Sequence, residues 1–116
     1  METVLIVDDH AGFRSLARRL LDAAGFEVVG EAEDGASALE SARRLRPAIV
    51  LLDVQLPDLD GFEVARRLAD EDVGIATVLV STRDSTAYRR RLASSPALGF
   101  LSKSELSGAS LAELVG

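Results

Sequence analysis

Short apolar runs alternate with stretches of three- and four-residue hydrophobic spacing along the chain, a pattern that predicts alternating strands and helices. Thr3–Val7 predicts the first strand. Phe13, Leu16, Ala17, Leu20, Leu21 and Ala24 then recur at helical spacing, with Gly25 as the stop. Phe26–Ala32 predicts a second strand, Asp34-Gly35 a turn, and Ala38, Leu39, Ala42 and Leu45 a second helix ended by Pro47. Ala48–Leu52 is apolar on both faces, which places it at the centre of a covered parallel sheet. A Pro/Asp/Gly loop over Gln55–Gly61 precedes a third helix carrying Phe62, Ala65, Arg66 and Leu68. Ile75–Val80, ending at Ser81-Thr82, predicts strand four, and Ser85–Ala93 a short, polar fourth helix. Ala97–Leu101 predicts strand five, and Leu111, Leu114 and Val115 a fifth helix. Strand–helix units in this order predict an α/β domain: a parallel sheet with right-handed crossovers and helices on both faces.

Composition narrows the picture. A chain of 116 residues, 47% of them hydrophobic, suffices for one domain with a single core, and no linker or low-complexity tract divides residues 1–116. The absence of cysteine excludes disulfides, thiolate metal sites and a cysteine nucleophile. A single histidine, His10, leaves no room for a histidine-rich zinc site. No apolar run approaches the ~18 residues of a membrane span, and Met1-Glu2-Thr3 does not start a signal peptide, so a cytoplasmic location without a membrane partner is expected. The net charge of −6 argues against direct nucleic-acid binding by this segment. Arg18-Arg19, Arg43-Arg44, Arg66-Arg67 and Arg89-Arg90-Arg91 all fall in helical patterns, which predicts solvated helix faces.

The chemistry collects at strand ends. Val4–Val7 runs into Asp8-Asp9, Ala48–Leu52 into Asp53, and Gly99-Phe100-Leu101-Ser102 into Lys103, the only lysine. Sites in open parallel sheets form beyond the carboxyl ends of the strands, so Asp8, Asp9, Asp53, Ser81 and Lys103 are expected to converge. Gathered carboxylates are costly unless a cation neutralises them. Read by chemistry alone, Asp8 and Asp9 suit a partly hydrated Mg²⁺. Asp53 closes the cation site and is the best candidate nucleophile, because carboxylate attack on phosphorus gives an acyl phosphate. Ser81 can donate to a phosphoryl oxygen, and Lys103 sets a point charge against it.

Four segments carry a family resemblance: Val7-Asp8-Asp9-His10, Leu52-Asp53-Val54-Gln55-Leu56-Pro57-Asp58-Leu59-Asp60-Gly61, Ser81 after strand four, and Gly99-Phe100-Leu101-Ser102-Lys103. In this order, each at a strand end, they resemble the receiver domain of bacterial two-component response regulators, over the whole sequence. The resemblance implies a flavodoxin-like three-layer sandwich, with a five-stranded parallel sheet of order 2-1-3-4-5 and five helices. By position, Asp53 resembles the phosphoacceptor, Asp9 the direct acidic metal ligand, Asp8 a ligand acting through water, and Gln55 a ligand through its backbone carbonyl. Ser81 resembles the switch hydroxyl and Phe100 the switch aromatic, Lys103 the phosphate partner, and Thr82 the small residue whose N–H faces the phosphoryl group. Pro57 and Gly61 shape the intervening loop, while Gln55 and Arg83 are expected to flank the approach of a hydrolytic water and tune phosphoryl lifetime.

The implied partner is a sensor histidine kinase, the implied cofactor Mg²⁺, and the implied output homodimerisation on phosphorylation. Such a domain is not an enzyme on other substrates; it promotes its own Mg²⁺-dependent phosphorylation and dephosphorylation. The resemblance also implies that Ser81 moves inward and vacates space beneath helix four for Phe100. Ser104 departs from the proline that often follows the lysine, leaving the backbone there open. Asp8-Asp9-His10 and Lys103-Ser104-Glu105-Leu106 resemble the branch whose receivers precede a helix-turn-helix DNA-binding domain. No such domain follows within a sequence that stops at Gly116, so a receiver from a longer transcriptional regulator is expected. The alternative is a stand-alone or pseudo-receiver acting as an interaction module. A flavin module needs a phosphate-cradling loop where Asp8-Asp9 stand, and an aspartyl-phosphate phosphatase needs a second acid that Asp53-Val54-Gln55 lacks. His10 is expected at the site mouth or as a helix cap, and Tyr88 in packing or on the surface.

Overall fold

The most apolar segments become the interior strands. In the computed structural model, which describes residues 2–71 and 74–116, β1 (Thr3–Val7), β3 (Ile49–Asp53) and β4 (Ala76–Ser81) lie inside a parallel sheet. β2 (Glu27–Ala32) and β5 (Gly99–Ser102) form its edges, in the order β2-β1-β3-β4-β5. Each strand pairs in parallel with its neighbours. The helices are α1 (Ala11–Ala23), α2 (Gly35–Leu45), α3 (Gly61–Glu71), α4 (Arg89–Ala93) and α5 (Gly108–Val115). This is the flavodoxin-like sandwich expected, and strand order reverses between β1 and β3, where such sheets open their sites. No helix among the described residues is long and apolar enough to cross a membrane.

Alternation along the strands sorts side chains into two layers. Leu5, Val7, Val50, Leu52 and Leu79 pack with Ala38, Leu39 and Ala42 of α2 and Phe62, Ala65 and Leu68 of α3. Val4, Ile6, Ile49, Leu51, Val78 and Val80 pack with Ala17 and Leu21 of α1 and Leu111 of α5. The same parity runs on past the apolar stretches. Asp8 is in phase with Val4 and Ile6, Asp53 with Ile49 and Leu51, and Lys103 with Leu101. The alternation that builds the core thus directs two acids and the lysine to the α1/α5 side. Ser81, in phase with Leu79, belongs to the other layer.

Several expected boundaries move for identifiable reasons. Leu16 is 42% exposed, because α1 meets the sheet through Ala17 and Leu21. Asp34 does not make a free turn. It caps α2 by accepting the Ser37 N–H at 2.7 Å, and Gly35 is the first helical residue. Asp58, from the loop after β3, accepts the next two N–H groups, Gly35 at 2.7 Å and Ala36 at 2.9 Å. Before Pro47, Arg46 is left-handed (φ 47°) and closes α2 through its N–H to the Ala42 carbonyl. In α3 the buried face uses Val64, whereas Arg66 is exposed and pairs with Glu63 and Asp70. Other arginines likewise form surface pairs, Arg18 with Glu31 and Arg43 with Glu71. The expected fourth helix is split: Ser85–Tyr88 is a 3₁₀ turn capped by Asp84, and only Arg89–Ala93 is α-helical.

Gly61 opens α3 with its N–H bonded to the Val54 carbonyl at 2.7 Å. A Cβ at this position would overlap the Asp53 carbonyl oxygen and lie 2.8 Å from Val54 Cα. Gly61→Ala is therefore expected to cost about 1–3 kcal/mol of stability, as overpacking does. Urea denaturation measures it, and an unchanged midpoint would show that the loop yields.

Candidate functional site

Asp8 directly follows β1 with no exposed surface, and its backbone is held on two sides. Its N–H bonds the Ala32 carbonyl at 3.0 Å, and its carbonyl accepts Arg14 Nη1 at 2.7 Å, while Arg14 Nε donates to Glu31 at 3.0 Å. Asp8 Oδ1 accepts the His10 N–H at 2.8 Å. Asp8 Oδ2 lies 2.6 Å from Lys103 Nζ as an ion pair and has no hydrogen-bond partner. Asp53, 4% exposed, accepts the Gln55 N–H on Oδ1 at 3.1 Å and Lys103 Nζ on Oδ2 at 3.3 Å. The ammonium also stands 4.6 Å from the centre of the Phe13 ring. Asp9 is more exposed, its Oδ1 3.1 Å from His10 Nδ1. The cap position of α1 belongs to His10, which makes no side-chain capping bond, so Asp9 is not spent as a cap.

Burial, reinforced by the Asp8 charge, raises the Asp53 pKa above its ordinary value; the Gln55 N–H and Lys103 oppose this without cancelling it. Burial alone would lower the Lys103 pKa, but the Asp8 and Asp53 carboxylates outweigh it and raise it. Lys103 is therefore an ammonium at neutral pH. Three carboxylates against one ammonium leave two negative charges in excess when His10 is neutral. Ligand atoms of Asp8, Asp9, His10 and Asp53 all lie within 4.8 Å of one another. The charge excess, the carboxylate donors and the orphaned Asp8 Oδ2 fit a hard divalent cation such as Mg²⁺.

Above this floor opens a polar cavity of about 220 Å³, lined by Asp9, His10, Asp53, Gln55, Leu56, Pro57, Ser81, Thr82 and Lys103. It falls below the ~300–1,000 Å³ of pockets that enclose drug-sized molecules, which disfavours a flavin and suits a phosphoryl group. The structure thus gathers Asp8, Asp9, Asp53, Gln55, Ser81, Thr82 and Lys103. Phe100 is elsewhere: half-buried, it packs on the α2/α3 layer. Arg83 does not line the cavity; its N–H donates to Ser81 Oγ at 3.1 Å and its carbonyl accepts Ser102 Oγ at 3.2 Å. Ser104 sits in a 3₁₀ turn, Lys103–Glu105, where the Ser102 N–H donates to Glu105 Oε1 at 3.3 Å, so the backbone turns without proline.

Tyr88 packs in the interior, one of its two expected settings, but its hydroxyl contact and the contacts of Asp58 escaped the sequence reading. Tyr88 is buried with its hydroxyl 3.1 Å from Ser81 Oγ, a pairing that depends on the 3₁₀ turn curling back over β4. Asp58 clamps the loop after Asp53 to the start of α2, a contact across 23 positions that no local spacing announces.

Comparison with known proteins places this geometry. Residues 4–115 match the family profile of the response regulator receiver domain. Over 116 residues the chain is 39% identical to the response regulator GacA of Pseudomonas viridiflava, covering 99% of this chain and 52% of that protein. Over 102 residues it is 38% identical to the virulence-factor transcription regulator BvgA of Bordetella pertussis, covering 88% of this chain and 49% of that one. The chain thus spans about half the length of these relatives. The signal receiver domain of a NarL response regulator from Mycobacterium tuberculosis superposes with a TM-score of 0.87 at 34% identity, covering 99% of this chain and 97% of that one.

The raised Asp53 pKa sets a pH dependence. The folded state holds this proton more tightly than the unfolded chain, so the group favours folding most below the unfolded value, near ~4. That contribution is lost as pH rises through the folded value. In chelator-treated protein, Asp53→Asn is therefore expected to be more stable than the parent at pH 7, with the gap closing towards pH ~4. Denaturation midpoints across this range measure it, and a gap that widens on acidification would reverse the sign.

Proposed function

The chain belongs to the response regulator receiver family, and on that premise we propose that Asp53 accepts a phosphoryl group from a phosphohistidine on a sensor histidine kinase. The observation that carries the reading is the buried Asp8–Lys103–Asp53 contact beside the exposed Asp9, at the carboxyl edge of the sheet. An Asp53 oxygen attacks phosphorus as the P–N bond breaks, and the imidazole departs with that electron pair. Lys103 Nζ, now 3.3 Å from Asp53 Oδ2, passes to a phosphoryl oxygen as the carboxylate becomes an acyl phosphate. Ser81 and the Thr82 N–H supply further donors from the end of β4. Mg²⁺ would be held by Asp9 directly, Asp8 through water, Asp53 and the Gln55 carbonyl, and it would neutralise the acids and the incoming oxygens. Gln55 borders the cavity and is placed to influence a hydrolytic water; Arg83 would act on lifetime from outside the cavity, its backbone bonded to Ser81.

The acyl phosphate brings roughly −1.5 to −2 charge and three acceptor oxygens to one point. Ser81 follows that charge, and the surface of α4, β5 and α5 shifts in population, with Phe100 as its moving aromatic. The readout is homodimerisation or release of a transcriptional output domain in the longer protein. GacA and BvgA, each about twice this length, support that reading. The domain itself makes no direct nucleic-acid contact and works in the cytoplasm.

Incubation with acetyl phosphate and Mg²⁺ should add the mass of one phosphoryl group to the parent and none to Asp53→Asn. Labelling of Asp53→Asn at the parental level would remove Asp53 as nucleophile. Gel filtration of both states reads the association. Asp9→Ala should weaken Mg²⁺ binding by about tenfold or more, since even outer partners of a metal are worth about 10–100-fold. An unchanged titration would take Asp9 out of the metal shell.

A further inference from the structure

The hydroxyl that the transfer calls on is already engaged. Ser81 Oγ, on a residue 3% exposed, accepts the Arg83 N–H at 3.1 Å and meets Tyr88 OH at 3.1 Å. Tyr88 is itself 8% exposed, and Ser81 is the hydrogen-bond partner of its hydroxyl among the described residues. Its ring lies between two others, 5.8 Å from Phe62 and 5.8 Å from Phe100. The Ser81–Tyr88 contact belongs to the α2/α3 layer, whereas Asp53 is in phase with the α1/α5 layer, where Asp8 and Lys103 meet it. A serine hydroxyl carries one proton and two lone pairs on an oxygen that one rotamer points in one direction. Its present direction is towards Tyr88.

We infer that Tyr88 is a positioning residue for phosphoryl transfer, acting through Ser81: its hydroxyl holds Ser81 Oγ away from Asp53 and must release it before Ser81 can donate to a phosphoryl oxygen. The inference rests on Asp53 as phosphoacceptor and adds a brake to that site. When Ser81 turns to the phosphoryl group, the Tyr88 hydroxyl is left buried without a partner, a condition native interiors avoid. Tyr88 then turns to solvent. The buried Tyr88 ring packs 5.8 Å from that of Phe100, so Phe100 moves inward only after Tyr88 leaves.

Tyr88 is the one tyrosine of a chain with no tryptophan, so its fluorescence reports this residue alone. With Mg²⁺ and acetyl phosphate, intact mass counts the phosphoryl group while iodide quenching reads Tyr88 exposure. Quenching that rises severalfold with the mass gain is expected. A mass gain with unchanged quenching overturns the role of Tyr88 and leaves Asp53 in place; no mass gain removes both. A second measurement uses beryllium fluoride with Mg²⁺ as the phosphoryl mimic. Tyr88→Phe should bind it about fivefold tighter, the equivalent of ~1 kcal/mol for one neutral hydrogen bond. In the Ser81→Ala background the same change should do nothing. Unchanged or weaker binding by Tyr88→Phe, or a gain that survives Ser81→Ala, overturns the inference.

Discussion

Two acids, Asp8 and Asp53, are buried at the ends of adjacent strands, and like charges at that depth repel with little water to screen them. The Lys103 ammonium, 2.6 Å from one and 3.3 Å from the other, makes the arrangement tolerable. Removing one partner from a buried pair typically costs about 3–5 kcal/mol, because the charge left behind has nothing to meet it. The neutralisation is incomplete here: Asp9 adds a third carboxylate, and Asp8 Oδ2 accepts no hydrogen bond. The site is thus stable enough to fold and still short of positive charge. That deficit is the physical basis for the fit of a divalent cation, without which the acids would repel an incoming phosphate.

Rigid surroundings preserve this balance. Arg14 ties the Asp8 carbonyl to Glu31 on β2, and Asp58 ties the loop after Asp53 to the first N–H groups of α2. Gly61 lets that loop pass directly over the Asp53 backbone, where a side chain would collide. Each contact is ordinary alone. Together they hold the acids at separations set by the sheet, so incoming groups meet a preorganised arrangement.

The other end of the sheet edge is arranged differently. Ser81 faces an aromatic layer of Phe62, Tyr88 and Phe100, roofed by a 3₁₀ turn and a five-residue α4. So short a helix contributes little stability of its own and depends on what it covers. A polar contact at 3.1 Å between Ser81 and Tyr88 joins the carboxyl end of β4 to this lightly held surface.

The apolar runs, their order and the acids or lysine at their ends are enough to specify a parallel sheet with a charged carboxyl edge, because strand alternation and burial are local properties. Asp53, Asp9, Asp8 and Lys103 were legible for that reason, each standing where an apolar strand stops. The exposure of Leu16 and the split of the fourth helix were not, since both depend on how closely a helix can approach its sheet. Nor could spacing reveal Asp58 capping a helix 23 positions earlier, or Tyr88 reaching Ser81. Those partnerships exist only after the chain has folded, when residues distant in sequence compete for the same buried donors and acceptors. The sequence by itself determined which groups gather at the edge; the tertiary structure decided which of them are already occupied.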